Sequence, residues 1–245
     1  MCGDSTKEED VSKLMNGEIC DITVTSPPYG AENTANLRNH FEKGKKIKKI
    51  DSFYLSHKDE SSEWSLLIEK FFNVAQKFSK CQFINIQMLA NNKILLIDWI
   101  YENSEKLVDI LIWKKNICPP QMASNVLNNQ FEFIFVFDNE NNSRTIRFGS
   151  FRGNISNVIE TKREKNEYAE IHKAVFPIEF PTKILNINKL AKTIFDPFGG
   201  TGTTLIACEQ LDRQCYMMEL DPAYCDVIVD RWEKFTGKKA EKING

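Results

Sequence analysis

The sequence predicts an α/β fold with a largely parallel sheet. Short apolar runs with the length of strands alternate along the chain with longer helix-like segments, as in strands joined by helical crossovers. The chain has 245 residues, enough for one sizeable core, and its 42% hydrophobic and 27% charged residues are the ordinary balance of a soluble globular domain. We therefore expect a single domain over residues 1–245 that carries one small insert.

The predicted elements follow one another in a regular order. Six short apolar runs are predicted to be strands, at residues 21–24, 83–86, 108–113, 131–137, 193–196 and 215–218. Four segments are predicted to be helices, at residues 64–78, 93–101, 203–211 and 222–235. In the first of these helices, apolar side chains recur at the spacing that places them on one face, which predicts packing against the core.

Two polar segments interrupt this order. Residues 30–62 show no sustained periodicity and are predicted to form a mobile loop, since loops of this length in compact domains are usually functional or disordered. The basic residues of this loop are Lys45, Lys46, Lys48 and Lys49. Residues 139–170 are rich in Asn, Ser, Arg and Lys and are predicted to form a small insert at the edge of the domain. The arginines of the insert are Arg144, Arg147 and Arg152.

Composition and charge disfavour several classes of protein. The formal net charge of -2 argues against indiscriminate binding to polyanions, although a local basic face stays open. No apolar run is long enough to cross a bilayer and the first residues lack the apolar core of a secretory signal, so a cytoplasmic protein is expected. The 7 cysteines are scattered without a CxxC pair and the 3 histidines lack ligand spacing, so neither a metal site nor a disulfide framework is predicted.

A stiff turn is predicted after the first strand, at residues 25–29. Pro27 and Pro28 lack backbone N–H groups and continue neither a helix nor a strand ladder. The turn presents the Ser26 hydroxyl, two free carbonyls and the Tyr29 ring, a set that suits a flat ring bearing an amino group. A rigid loop without a ligand is the alternative that these residues alone leave open.

A glycine-rich turn is predicted between Asp196, at the end of one strand, and a helix that begins at Thr203. Glycines let the backbone approach a ligand closely, and a helix N-terminus offers unpaired N–H groups. The turn lacks the lysine of a P-loop and the spacing of the dinucleotide fingerprint. Glu219, at the end of the next strand, is placed to accept hydrogen bonds from both hydroxyls of a ribose. The pattern predicts a nucleoside ligand without phosphates, and an ordinary α/β turn with an unrelated acid is the alternative.

Together these segments resemble the amino-methyltransferases of DNA, which methylate the exocyclic nitrogen of cytosine or adenine with S-adenosylmethionine. Thr-Ser-Pro-Pro-Tyr at residues 25–29 resembles their (D/N/S)PPY catalytic motif. Asp-Pro-Phe-Gly-Gly-Thr-Gly-Thr-Thr at residues 196–204 resembles their DPFxGxGTT cofactor motif, and Glu219 matches their ribose-binding acid. Further similar segments are residues 2–5, 113–114, 131–137 and 172–177. The resemblance covers nearly the whole chain apart from the two polar segments, and the catalytic motif precedes the cofactor motif as in the β group.

The resemblance implies a fold, a site and partners. The implied fold is a doubly wound, mostly parallel seven-stranded sheet of the Rossmann-like methyltransferase type. The implied catalytic residues are Ser26, Pro27, Pro28 and Tyr29. The implied residues for S-adenosylmethionine are Asp4, Phe176, Pro177, Asp196, Phe198, Gly199, Gly200, Gly202, Thr203, Thr204 and Glu219. DNA is the expected partner, contacted by the lysines of the loop and the arginines of the insert, with residues 139–170 as the target-recognition region. A second copy of the chain and a restriction endonuclease are further expected partners.

The chemistry of the catalytic turn is consistent with this resemblance. An exocyclic amine is a poor nucleophile because its lone pair is delocalised into the ring. Hydrogen bonds from the amine to the Ser26 hydroxyl and the Pro27 carbonyl favour a pyramidal nitrogen, and Tyr29 is expected to stack on a base flipped out of the duplex. No general base is evident in the sequence at this site.

Several alternatives stay open. Ser in the first position of the turn is commoner among cytosine-N4 members of the family and Asp among adenine-N6 members, so N4 of cytosine is favoured and N6 of adenine is the alternative. A non-catalytic cofactor-binding subunit and methylation of RNA or protein amines are further alternatives. Methylation of the ring carbon of cytosine needs a thiolate, and nothing near Cys118 in the sequence supplies a base, so that chemistry is not expected.

Overall fold

One seven-stranded sheet organises the molecule. The computed structural model describes residues 1–29, 61–116, 124–162 and 176–243. The strands are β1 (Cys20–Thr25), β2 (Ser79–Ile86), β3 (Leu107–Lys115), β4 (Phe131–Asp138), β5 (Val158–Thr161), β6 (Thr193–Asp196) and β7 (Gln214–Met217). Their order is β5-β3-β4-β2-β1-β6-β7, and of these strands β4 alone runs antiparallel to its neighbours. The predicted mostly parallel seven-stranded sheet is confirmed.

Helices cover both faces of the sheet. They are α1 (Glu8–Met15), α2 (Ser61–Phe78), α3 (Lys93–Glu102), α4 (Glu179–Ile187), α5 (Thr203–Gln210) and α6 (Pro222–Thr236). On one face, α1, α2 and α3 pack through an aromatic layer in which Phe72 lies 4.8 Å from Phe137 and 5.1 Å from Trp99, centroid to centroid. On the other face, α4 and α5 pack on the sheet, and the rings of Trp113 and Phe180 lie 4.3 Å apart. Because apolar side chains are buried on both faces, the doubly wound arrangement is also confirmed.

Strand β1 occupies the position that matters most for a ligand. It lies between β2 and β6, both parallel to it, so the chain leaves β1 toward one half of the sheet and later returns to build the other half. In open α/β sheets, ligands bind outside the carboxyl ends of the strands at such a point. The turn at residues 25–29 follows the carboxyl end of β1, and the glycine-rich turn follows the carboxyl end of β6.

The ten predicted elements all occur, with ends that differ by a few residues. Besides a short 3-10 helix at Ser104–Lys106, two α-helices and one strand were not predicted. These are α1, α4 and β5. Strand β5 lies inside the segment predicted to be an insert and pairs with β3, and its Ile159 and Thr161 are buried, so this part of the segment belongs to the main sheet. No helix in the described ranges is long and apolar enough to cross a membrane.

Some predictions concern residues outside the described ranges. The four lysines of the predicted mobile loop, Cys118 and residues 172–175 of the similar segment 172–177 are among them.

Candidate active site

A hydrogen bond joins the two turns that the sequence singled out. The Thr25 hydroxyl donates to Oδ1 of Asp196 at 2.7 Å, and the Phe198 N–H donates to the same oxygen at 3.2 Å. Thr25 and Asp196 are both buried, and burial raises the pKa of the Asp196 carboxyl to about 7. Residues 171 positions apart in the chain are therefore in contact at the carboxyl edge of the sheet.

Four oxygen atoms meet at the turn of residues 25–29. The Ser26 Oγ lies 2.7 Å from the Tyr29 hydroxyl and 3.2 Å from Oδ1 of Asn85. The Tyr29 hydroxyl lies 2.7 Å from the same Asn85 oxygen and 2.8 Å from Oε2 of Glu132. Asn85 lies in a run of buried residues near the end of β2, and Glu132 lies at the start of β4. The ends of β1, β2 and β4 therefore meet at this cluster.

The acid of the cluster is buried and has a cationic partner. Glu132 is 3% exposed, and the Lys115 ammonium, on the neighbouring β3, donates to its other oxygen, Oε1. Burial, together with the charge of Glu132, raises the pKa of the Tyr29 phenol well above its usual value. The Tyr29 hydroxyl is therefore a neutral group held in place beside a carboxylate, and its ring is fixed in orientation.

Two carbonyl groups of the turn accept hydrogen bonds from side chains in or next to helices. The Trp64 indole N–H of α2 donates to the Pro28 carbonyl at 2.7 Å, and the Asn92 amide, just before α3, donates to the Tyr29 carbonyl at 3.0 Å. The expectation of two free carbonyls is therefore wrong for Pro28, because the indole N–H needs a buried acceptor. Among the described residues, no group donates to the carbonyl of Pro27.

The glycine-rich turn wraps around a buried acid. The Gly199 N–H donates to the Met218 carbonyl at 2.8 Å, and the Gly200 N–H donates to Oε2 of Glu219 at 2.8 Å. The Asp221 N–H donates to the other Glu219 oxygen at 3.0 Å. Burial raises the pKa of the Glu219 carboxyl. Each carboxylate oxygen accepts one backbone hydrogen bond and keeps a lone pair, so Glu219 can accept two further donors.

Gly200 leaves open space beside this acid. Its φ is +54°, a conformation that side chains other than glycine rarely adopt, and a Cβ built there meets no atom within 4 Å. The turn then ends at the N-terminus of α5, where Thr203 and Thr204 are buried. The acceptors of Glu219, the open side of Gly200 and the helix N-terminus fit the ribose and the close backbone contact of a nucleoside.

A buried cation braces the same turn from behind. Nη1 of Arg231, on α6, lies 2.9 Å from the Thr201 carbonyl, 3.2 Å from the Thr201 hydroxyl and 3.0 Å from the Thr203 hydroxyl. Arg231 is 5% exposed. Its hydrogen bonds are charge-assisted and therefore stronger than those between neutral groups.

Four other residues predicted for the cofactor are Asp4, Phe176, Pro177 and Phe198, and their contacts differ. Phe198 packs edge-on against Phe71 with 5.0 Å between ring centroids. Asp4 accepts hydrogen bonds from the N–H and the hydroxyl of Thr6. The preceding residue, Gly3, donates its N–H to the Glu219 carbonyl, which holds this segment beside Glu219. Phe176 packs on Phe180 at 5.0 Å, and Pro177 precedes α4.

The three arginines of the insert differ in placement. Arg144 forms an ion pair with Asp109 near the start of β3. Arg147 forms a bidentate ion pair with Asp138 at the end of the antiparallel β4. Both aspartates lie at the edge of the sheet opposite the catalytic turn, which does not favour a contact between these arginines and a base in that turn. Arg152 is exposed. A DNA contact by any of the three stays a prediction.

Sequence reasoning missed four residues of this site: Asn85, Glu132, Lys115 and Arg231. A polar residue between apolar neighbours in a strand is the one signal that marks Asn85 and Glu132. Their roles depend on which strands are neighbours, and no local pattern contains that information. Among the described residues, no group of three or more metal-ligating side chains occurs.

Comparison with known proteins identifies the class. A family model of N6/N4 methyltransferases, described as DNA methylase, matches residues 20–230. Since the match extends over most of the chain, the protein belongs to this family of DNA amino-methyltransferases.

Individual relatives resemble the chain more distantly. The type II methyltransferase M.Cfr9I of Citrobacter freundii is 32% identical over 132 residues, which cover 49% of this chain and 42% of that protein. M.MthZI of Methanothermobacter thermautotrophicus is 23% identical over 91% of this chain and 73% of that protein. The alignments with M.Cfr9I and M.SmaI of Serratia marcescens therefore span less than half of those relatives, 42% and 44%. Among solved structures, the cytosine-N4-specific PvuII DNA methyltransferase shares the fold with a TM-score of 0.66 at 17% identity, over 96% of this chain and 89% of that one.

Proposed function

We propose that this chain transfers the methyl group of S-adenosylmethionine to the exocyclic N4 of cytosine in DNA. The observation that carries the proposal is the 2.7 Å hydrogen bond between Thr25 and Asp196, because it holds the turn at residues 25–29 next to the glycine-rich turn. Membership of the DNA amino-methyltransferase family supports the reaction class. Ser26 in the first position of the catalytic turn supports cytosine over adenine.

The residues around the glycine-rich turn are proposed to hold the cofactor. S-adenosylmethionine supplies a methyl group attached to a positively charged sulfur. The two Glu219 oxygens, each with a lone pair left, accept the ribose hydroxyls. The open side of Gly200 lets the backbone approach the nucleoside closely.

The residues of the catalytic turn are proposed to hold the target amine. The Ser26 hydroxyl and the Pro27 carbonyl accept its two hydrogens, which directs the nitrogen lone pair toward the methyl donor. Positioning of this kind lowers a barrier by about 7–11 kcal/mol in favourable systems. The base must leave the duplex to reach the turn, and stacking on Tyr29 recovers about 1–3 kcal/mol of that cost.

Contacts to the DNA backbone complete the proposal. The lysines of the segment 30–62 and the exposed Arg152 are proposed phosphate contacts. Since the segment 139–170 is short for a stand-alone sequence reader, we propose that a second copy of the chain or residues 33–62 assist recognition. Light scattering with and without DNA tests the second copy, and a strict monomer on DNA would contradict it.

Transfer of tritiated methyl groups to mixed-sequence DNA tests the enzyme. The variant Tyr29→Ala removes the ring that stacks on the base, and Tyr101→Ala, at a side chain of which 80% is exposed, is the matched control. We expect label with the wild type and Tyr101→Ala, and none with Tyr29→Ala. Nucleoside analysis then identifies the base. N4-methylcytosine supports the proposal, whereas N6-methyladenine would show that the target base is adenine. The absence of label with the wild type would overturn the proposal.

A further inference from the structure

The oxygen cluster beneath the catalytic turn has fewer hydrogens than contacts. Four oxygen–oxygen contacts of 2.7–3.2 Å join Ser26, Tyr29, Asn85 and Glu132. Only two hydroxyl hydrogens, one from Ser26 and one from Tyr29, are available to them. At most two of the four contacts are hydrogen bonds at one time, so the cluster is rich in acceptors and has room for a further proton.

The orientation of Asn85 is settled by its other contact. Its Nδ2 donates to the Phe133 carbonyl at 3.0 Å, so its Oδ1 faces Ser26 and Tyr29. The reversed amide would bring an oxygen against the Phe133 carbonyl oxygen and lose that hydrogen bond. Asn85 therefore supplies an acceptor and no hydrogen to the cluster.

We propose that Ser26, Tyr29 and Glu132 form a proton-accepting chain that removes a proton from the amine as it is methylated, with the Glu132 carboxylate as its end. The inference rests on the proposed function, which places the target amine against Ser26. It supplies the base that the sequence did not reveal. Glu132 acts through Tyr29 and does not touch the base itself.

The proton transfer balances. Methyl transfer forms the N–C bond, and the electron pair of the broken S–C bond stays on sulfur. As that bond forms, positive charge develops on the amine nitrogen, and in the same step one of its protons passes to the Ser26 oxygen, so loss of the acceptor slows methyl transfer itself. The Ser26 proton moves to the Tyr29 oxygen, and the Tyr29 proton moves to Oε2 of Glu132, which becomes a neutral acid. The transfer is favourable because loss of the proton restores conjugation of the nitrogen with the ring.

Lys115 connects the end of this chain to the surface. Its ammonium donates to Oε1 of Glu132, the oxygen that does not face Tyr29, and its side chain is 30% exposed. Tyr29 and Lys115 are the titratable groups that the described structure places against Glu132. After turnover, the proton on Glu132 can therefore leave toward solvent on the side of Lys115.

Glu132→Gln tests the proposal because it keeps the shape of the side chain and removes the proton acceptor. The matched control is Glu233→Gln, which breaks a pair of 2.7 Å between Glu233, near the end of α6, and the exposed Lys239. In single-turnover reactions with S-adenosylmethionine and DNA, we expect Glu132→Gln to slow methyl transfer by about 10²-fold, with unchanged DNA affinity. Glu233→Gln should match the wild type.

A second readout needs no reaction. In the full chain without cofactor, NMR of ¹³Cζ-labelled tyrosine follows the titration of Tyr29, assigned with Tyr29→Phe. Burial is the largest cause of the raised pKa of Tyr29 and the charge of Glu132 adds to it, so the titration should move to lower pH in Glu132→Gln and stay unchanged in Glu233→Gln.

Three outcomes would count against the inference. A wild-type rate in Glu132→Gln would overturn the proton path and leave the proposed function standing. An unchanged Tyr29 titration in Glu132→Gln would overturn it as well, since the two groups would not be coupled. A wild-type chain that methylates no DNA would overturn both the proposed function and the inference that rests on it.

Discussion

The substitution Gly200→Ala tests whether the glycine-rich turn binds the cofactor. Gly200 has a φ of +54° and a Cβ built on it points into open space beside Glu219. Gly237, which ends α6, has a φ of +71° and a Cβ there also meets nothing within 4 Å. The two glycines therefore share the same backbone strain on substitution and the same absence of a steric clash within the described protein. They differ in that only Gly200 is proposed to face the cofactor.

The expected magnitudes separate stability from binding. Alanine in the left-handed region costs about 1–2 kcal/mol, so both variants should lose a similar free energy of unfolding. A methyl group forced into a fitted contact costs a further ~1–3 kcal/mol. For Gly200→Ala this corresponds to a dissociation constant for S-adenosylmethionine raised by about 5- to 150-fold. Gly237→Ala should bind the cofactor as the wild type does.

Urea unfolding and titration calorimetry measure the two quantities on the same preparations. The prediction is a pair of variants with similar loss of stability and a large difference in cofactor affinity. Wild-type affinity in Gly200→Ala would refute the placement of the nucleoside against this turn. Equal weakening in both variants would show that strain, and not contact with the ligand, governs binding.

Two further predictions concern buried charges. Arg231→Met should lower the free energy of unfolding by about 3 kcal/mol. The two charge-assisted hydrogen bonds that Arg231 donates to Thr201 are worth about 1.5–3 kcal/mol each, and relaxation of the turn in the variant offsets part of that loss. Lys234→Met, at an exposed pair on the same helix, should cost less than about 1 kcal/mol in urea unfolding, and equal losses would contradict the role of Arg231. The raised pKa of Asp196, about 7, means that the folded state holds a proton that the unfolded state releases near pH 4, so this group makes the protein less stable as pH rises from about 4 to 7. Asp196→Asn keeps the acceptor oxygen, so wild-type stability should fall relative to this variant over that range, and parallel pH profiles in urea unfolding would contradict the assignment.

The order of strands and helices was predictable because most elements carry their own periodic pattern. The elements that were missed lack one. Strand β5 has only four residues. In α4, Pro181 at the third position interrupts the helical sequence pattern. The helix still forms because a proline in the first turn removes no helix hydrogen bond. In α1 only Val11 and Met15 are buried, too few to mark a face.

The candidate site divides in the same way. The turn at residues 25–29 and the glycine-rich turn were predictable because each is a contiguous motif whose chemistry is local. The contacts of Tyr29 with Asn85 and Glu132 span 56 and 103 residues, so they depend on strand order and register. For the same reason, the sequence suggested no base at a site where the structure places a buried carboxylate 2.8 Å from the Tyr29 hydroxyl.

Sequencing of modified bases in DNA from cells that express this chain tests the proposed function most directly. The predicted result is N4-methylcytosine at a fixed sequence in cells with the wild type, and none in cells with Tyr29→Ala. DNA without methylated amines, or equal modification with Tyr29→Ala, would contradict the assignment of the catalytic turn.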